Sequence, residues 1–348
     1  SLADADEALL LAETEQSLRD VQAEALRARG MSLYNLGQLD EAIEWLGRSL
    51  AVYLALNDAQ RVAMLRMELG LAYFSAGRYD QALTHYNQAL DYWRKTENVA
   101  QQANLLNNLG VLHHLRGDYA QADLLLEKAL TCANQSGYTR TEVAALTSIG
   151  DIYADLDGLD SAWSVYRQAL DIAQRVDDRF LLLYLKLAKA SVARRRSNLI
   201  SARELLDSAG QLVEESSSEF ELGLYQLEAG RLALVEGNSA EAIILLENAS
   251  LRFDNGGQRV EGARAHLYLA LTYFEIRAEQ PVSDQMERVF QLAGELDSQH
   301  PLLTAGRDAT RPLESMHDGS ALGRQASRLL KKVNEFEQQI PTWRRRLR

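Results

Sequence analysis

Cysteine occurs once, at Cys132, and proline four times in 348 residues. A lone thiol closes no internal disulfide and builds no thiolate cage, so an oxidised scaffold and a cysteine-ligated metal site are both excluded, and a reducing cytoplasm is the expected compartment. So few prolines leave long stretches free to stay helical, because an interior proline removes a backbone donor and clashes with the preceding turn. No apolar run reaches the ~18 uninterrupted residues of a membrane span, and the N-terminus lacks the basic start and apolar stretch of a signal peptide. No membrane partner is expected.

Positive charge is also in short supply, with 37 Lys and Arg against 49 Asp and Glu for a net charge of -12. Most of the surface therefore repels phosphate backbones, and no direct nucleic-acid binding is expected of it. The end differs: Trp343 to Arg348 holds four arginines in six residues, and such a run reads first as a solvated basic linker into a following domain. With no initiator methionine at Ser1 and an arginine-rich stop, the chain is expected to be a segment of a longer protein.

Signatures of chemistry are missing too. The sequence has no G-x-x-x-x-G-K-[ST] phosphate loop, no H-E-x-x-H and no G-x-S-x-G. His113 and His114 are adjacent and so face different sides of one helix, with His113 expected in the core. Cys132 is expected to be a small packing residue. No catalytic residue, metal or cofactor is expected.

What is present is a period of 40 residues. Alanine recurs at Ala42, Ala82, Ala122, Ala162, Ala202 and Ala242, and a second series runs Gly30, Gly70, Gly110, Gly150, Ala190, Gly230 and Ala270. A third, Ser49, Ala89, Ala129, Ala169, Ala209 and Ala249, is likewise confined to small side chains. Small residues at fixed places on paired helices mark close crossings, because interaxial distances of about 8 Å leave no room for branched side chains. Large apolar positions such as Leu69, Tyr73, Tyr86 and Leu90 lie between them at helical spacing. Turns recur with the same period at Gly37, Gly77, Gly117 and Gly237. There glycine ends the first helix in the left-handed conformation and following polar residues cap the second.

Leu69-Gly70-x2-Tyr73 followed by Ala82-x3-Tyr86 resembles the tetratricopeptide pattern L-G-x2-Y…A-x3-F. The resemblance covers about residues 23–262; the family's tryptophan and closing proline are absent, and the unit is longer than the usual 34 residues. In that longer unit the chain is similar to kinesin light chains, to polarity adaptors of G-protein regulators and to bacterial signal-transduction ATPases of the maltose-activator type. The fold expected is all-α: a right-handed superhelix of about seven helical hairpins with extra helices at both ends. Units are placed at 23–62, 63–102, 103–142, 143–182, 183–222, 223–262 and 263–298. Residues 1–22 are read as the second helix of a truncated repeat, and 299–348 as a loop, a capping helix at about 321–339 and the basic exit.

A superhelix of hairpins lines its concave face with first helices, so groove positions follow from the period. They are Met67 and Phe74, then Asn104, Asn107, Asn108, Val111 and His114, then Thr147 and Asp151, then Tyr184, Arg194 and Arg195, and Arg231. Asparagine pairs with any peptide group through a side chain that is both donor and acceptor. Asn107 and Asn108 resemble the asparagines by which kinesin-light-chain repeats hold an extended peptide. Arg194-Arg195-Arg196 can clamp a carboxylate or phosphate, or merely complement a helix end. Apolar Leu267, Leu271 and Phe274 are expected to face the groove of the last unit.

The expected partner is a protein or extended peptide in that groove. The resemblance to maltose-activator-type regulators implies a sensor or docking array that also controls self-association, so a homo-oligomer is among the expected states. A free-standing scaffold and the recognition arm of an enzyme are the alternatives.

Overall fold

A computed structural model describes residues 19–216, 218–316 and 319–347. Seven helical hairpins follow one another, then a C-terminal segment. The first hairpin pairs α1 (Arg19–Asn35) with α2 (Leu39–Ala55), and the second α3 (Ala59–Ser75) with α4 (Tyr79–Lys95). The third pairs α5 (Val99–Leu115) with α6 (Tyr119–Ser136), and the fourth α7 (Thr139–Asp155) with α8 (Leu159–Val176). Next come α9 (Arg179–Arg195) with α10 (Leu199–Glu214) and α11 (Glu219–Val235) with α12 (Ser239–Asn255). The seventh pairs α13 (Arg259–Glu275) with α14 (Glu279–Gly294). First helices open four residues ahead of the unit starts laid from the alanine register, because the inter-unit turns sit at Asn57, Glu97, Gly137, Asp177 and Gly257, all with positive φ. The N-terminal helix expected in 1–22 falls mainly on residues 1–18, outside the described residues.

The small-residue series does what its period implies. An added Cβ at Gly110 would lie 2.6 Å from Leu126 Cγ, and one at Gly30 2.8 Å from Leu46 Cγ, so these first helices rest their glycines on a large side chain of their own second helix. Gly70 and Gly150 meet Tyr86 and Tyr166 in the same way, and Gly230 meets Leu246. Ala42, Ala82, Ala122, Ala162, Ala202 and Ala242 are all buried. Side-chain caps are less regular: Asp118, Asn198 and Asn238 accept from the third backbone N–H of their helices, whereas Gln38 and Arg78 at equivalent turns make no such bond.

The coil also closes on itself. Gly37, with φ +78°, lies so close to Gly256 that a Cβ there would strike its carbonyl, and Gly77 and Gly117 sit equally tight against Leu296 and His300. Asp80 N–H donates to the Asp297 carboxylate 217 residues on, at 3.2 Å. Ser298 Oγ donates to the Leu115 carbonyl at 3.1 Å. One circuit is therefore complete before the last hairpin ends, and turns of the first three units serve as landing sites for the sixth, the seventh and the segment after it.

That segment was expected to start as a loop. Instead, a single 3-10 turn (His300–Leu302) leads into α15 (Leu303–Asp308) and α16 (Thr310–Ser315), and α17 spans Ala321–Arg346. Leu302, Leu303, Ala305, Ala309 and Leu313 are buried, which gives this stretch enough apolar surface to order it. The helix α17 runs past residue 339 through Pro341 and carries Arg344, Arg345 and Arg346 in its last turn, so these arginines extend a helix rather than forming a linker. Phe336 and Trp343 of α17 pack on the buried ring of Tyr119 at centroid distances of 6.2 and 5.8 Å.

Candidate functional site

First helices and the C-terminal segment together enclose a chamber of about 770 Å³ on the concave side. Its walls come from α3, α5, α7, α9, α11 and α13, with His300, Pro301, α15 and Glu337 closing one side. Eight of the expected groove residues line it: Phe74, Val111, His114, Asp151, Tyr184, Arg194, Arg195 and Arg231.

The other five do not. Met67 packs half-buried against the core of the second and third hairpins. Thr147 is buried and turns its hydroxyl back to the Val143 carbonyl at 2.7 Å. Asn104 accepts from the Thr141 hydroxyl. Asn107 accepts from Ser148 at 3.4 Å and donates to Asn108 at 3.5 Å, so this pair forms a half-buried ridge between α5 and α7.

Charge in the chamber is arranged in bridges between neighbouring hairpins. His114 Nε2 lies 2.7 Å from Asp155 Oδ2, tying α5 to α7. Burial pushes the Asp155 carboxyl up, but the hydrogen bond and charge of His114 outweigh it and hold the group below the usual carboxylate range. His114 is the more buried of the two histidines; His113, expected in the core, is half-buried and faces Asp118 at 3.3 Å. Arg194 and Arg231 share Glu228 at 3.1 and 2.6 Å. Arg231 also stacks 4.6 Å above the Tyr268 ring and reaches Asp308 at 3.7 Å. Arg195 donates to the Ala154 carbonyl at 2.7 Å and to Asp157 at 2.5 Å. The arginine run is thus held by carboxylates of this chain: Arg196, its exposed member, pairs with Asp160.

Asp151 is different. Its carboxylate accepts from Tyr166 at 2.5 Å and Tyr184 at 3.2 Å, and no cation pairs with it among the described residues. Burial raises it to about 6, with the Tyr166 hydrogen bond opposing. Across the chamber His300 is lowered to about 4 by burial, so it is neutral at pH 7 and pairs through Nε2 with the Tyr119 hydroxyl at 2.9 Å.

Leu267 and Leu271, expected to face the groove, are buried beneath the C-terminal segment in one cluster with Leu302, Leu303 and Leu313. A sequence period reports which side of a helix faces inward; it cannot report that another segment will cover that side. Arg264, by contrast, was accessible to the period, since it stands in register with Asn104, Tyr184 and Leu224. Glu228 was accessible in the same way, since it stands in register with Asn108, whereas Arg307, Asp308 and His300 carry no periodic signal of a site. Among the described residues no group of three or more His, Cys, Asp or Glu is placed to hold a metal ion. Nor is any helix there long and apolar enough to cross a membrane.

The tetratricopeptide repeat profile matches residues 21–95 and 60–135. That match spans the first three hairpins, and the four that follow repeat their arrangement. This chain carries a tetratricopeptide-repeat array. The sequence has no match among curated proteins. Among solved structures the array is similar to a Rap conjugation gene regulator of the plasmid pLS20 in complex with the Phr* peptide, at 14% identity and a TM-score of 0.66, covering 98% of this chain and 95% of that one. It is also similar to the apo quorum sensor NprR from B. thuringiensis, at 16% identity and a TM-score of 0.64, covering 83% of this chain and 81% of that one. A signal-transduction ATPase with a tetratricopeptide repeat sensor from Pyrococcus horikoshii matches at 11% identity and a TM-score of 0.53, over 91% of this chain and 47% of that one. At such identities the likeness is one of fold.

Proposed function

We propose that this array is a sensor that takes a short peptide into its concave chamber and passes the bound state to a partner. The observation that carries the reading is the chamber: about 770 Å³, walled by six successive first helices, with aromatic rings and partly unpaired charge facing inward. Pockets of about 300–1,000 Å³ with a few convergent polar groups are where ligands bind. Support comes from the similar folds, since the pLS20 regulator is solved with a peptide and NprR is described as a quorum sensor. Retention of a random pentapeptide library by the immobilised protein tests it. Ala188→Trp, which fills the chamber from α9, is expected to abolish retention; equal retention by the variant overturns the reading.

The finer reading is that the array is the sensor or partner-docking region of a multidomain bacterial transcriptional regulator. The similarity to the sensor-bearing signal-transduction ATPase supports it. Sequencing the gene around this segment is the check, with a nucleotide-binding or DNA-binding domain in the same chain as the expected result. A free-standing scaffold is favoured by one feature: Asn107 and Asn108 are held only by contacts of 3.4–3.5 Å and remain available to a peptide backbone. Loss of an extended partner on Asn107→Ala, with the pentapeptides still retained, would support the scaffold instead.

A further inference from the structure

When every ion pair in the chamber is assigned, three charges remain. Arg194, Arg231, Glu228 and Asp308 form one network. Arg195, Arg307, Asp157 and Glu337 form a second, and His114 pairs with Asp155. Asp151, Glu261 and Arg264 line the same space and none has an ion-pair partner among the described residues. Arg264 donates through Nε to the Pro301 carbonyl at 3.0 Å, and no carboxylate among the described residues pairs with its guanidinium. The residue that remains in excess is acidic, so an anionic ligand such as a nucleotide meets net repulsion.

Three buried donors are idle as well. The Tyr79 hydroxyl, Arg194 Nη2 and Arg231 Nε lack hydrogen-bond partners, although Tyr79 is only 1% exposed and Arg194 7%, and all three residues line the chamber. Buried polar groups in native proteins are nearly always paired, so idle donors on a cavity wall mark places where an acceptor belongs. A polyamine supplies cations but no acceptors. A peptide supplies carbonyls, a terminal carboxylate and a cationic group together.

We infer that the ligand is a short peptide whose amine or guanidinium seats on Asp151 between the phenol groups of Tyr166 and Tyr184, while its carbonyl oxygens accept from Tyr79 and Arg194. The inference rests on the chamber being a peptide site. Two tyrosine donors hold the Asp151 carboxylate in place to receive a cation, and its charge lacks the counter-ion that every other carboxylate nearby except Glu261 already has. Arg264 lines the same chamber, its positive charge is felt by both Tyr184 and Tyr79, and a terminal carboxylate there completes the pairing. The segment 300–308 walls one side, which limits the ligand to a few residues rather than a strand running the length of the coil.

The experiment is retention of pentapeptide pools that carry arginine, lysine, citrulline or glutamate fixed at each position in turn, on the full chain and on Asp151→Asn, Tyr184→Phe and Ala188→Trp. The expected result is at least tenfold enrichment of arginine and lysine pools over citrulline at one position, lost in Asp151→Asn and weakened in Tyr184→Phe. Enrichment indifferent to citrulline, or preserved in Asp151→Asn, overturns the cation seat while leaving the peptide chamber intact. No enrichment of any pool, or the same enrichment in Ala188→Trp, overturns the chamber itself. Circular-dichroism melting of each variant identifies one that has failed to fold, and Tyr184→Phe keeps the question open to measurement if Asp151→Asn is that variant.

Discussion

Arg307 grips both carboxylate oxygens of Asp157, 150 residues earlier in the chain, at 3.2 and 2.7 Å. Asp157 sits in the turn between α7 and α8 with φ +59°, and it also receives Arg195. A strained turn of the fourth hairpin therefore fastens the C-terminal segment to the inside of the coil. Removing the grip by Arg307→Met leaves the Asp157–Arg195 pair standing and costs about 1–3 kcal/mol of local stability, the usual range for a partly buried charged hydrogen bond. Hydrogen exchange is expected to quicken in 300–316 and 321–346 and to stay unchanged in α1 to α4. Uniform quickening over the whole chain would show the segment is not separately held.

Glycine substitutions separate packing from propensity. Gly70→Ala pushes a methyl into the ring of Tyr86 and is expected to destabilise by about 1–3 kcal/mol, the range for overpacked cores. Gly47→Ala meets nothing within 4 Å on α2 and is expected to stabilise by about 0.5–1 kcal/mol. Urea melts of the two variants check both signs, and a stabilising Gly70→Ala would show that α3 and α4 have room to spare at their crossing.

Glu97 holds φ +54° in the turn between the second and third hairpins. A left-handed residue with a side chain costs about 1–2 kcal/mol, against a smaller entropic loss for glycine, so Glu97→Gly is expected to gain up to about 1 kcal/mol. Thermal melting reads it directly.

The Asp151 carboxyl makes stability fall as pH rises. Its folded-state value, about 6, lies above the ordinary 3.8. The folded chain thus binds the extra proton between those values, and that contribution is complete below pH ~4 and lost by pH ~6. Tyr166, Tyr184, His114 and Asp155 are the groups that act on it. Asp151→Asn is expected to raise the melting temperature more at pH 8 than at pH 4.5. If a cationic peptide seats on the ionised form, its affinity rises over the same interval, and calorimetry at pH 5 and 7 measures the proton released.

The architecture was legible because packing repeats: a small residue at the crossing, glycine on a leucine or tyrosine in five hairpins and alanine in the fifth and seventh, leaves a mark every 40 residues. Part of the chamber lining was legible for the same reason, as Val111, Asp151, Arg231 and Phe74 show, whereas Met67, Asn104, Asn107, Asn108 and Thr147 share the period and do not line it. What the period could not carry is anything that happens once. Leu267 and Leu271 looked like a ligand surface because nothing in their own repeat says that 300–315 will lie over them. The wall made by His300, Arg307 and Asp308 comes from a stretch without periodicity, whose order depends on contacts with partners far away in sequence.

The meeting of Gly37 with Gly256 bears on how the molecule yields to force or heat. A row of repeats touching only their neighbours frays from its ends and stretches like a spring, its stability a sum of local terms. Here the opening hairpin leans on the sixth, so neither can peel away without losing a contact made by the other. The ring is expected to give way as a unit, and any change in its pitch requires that this clasp be undone first.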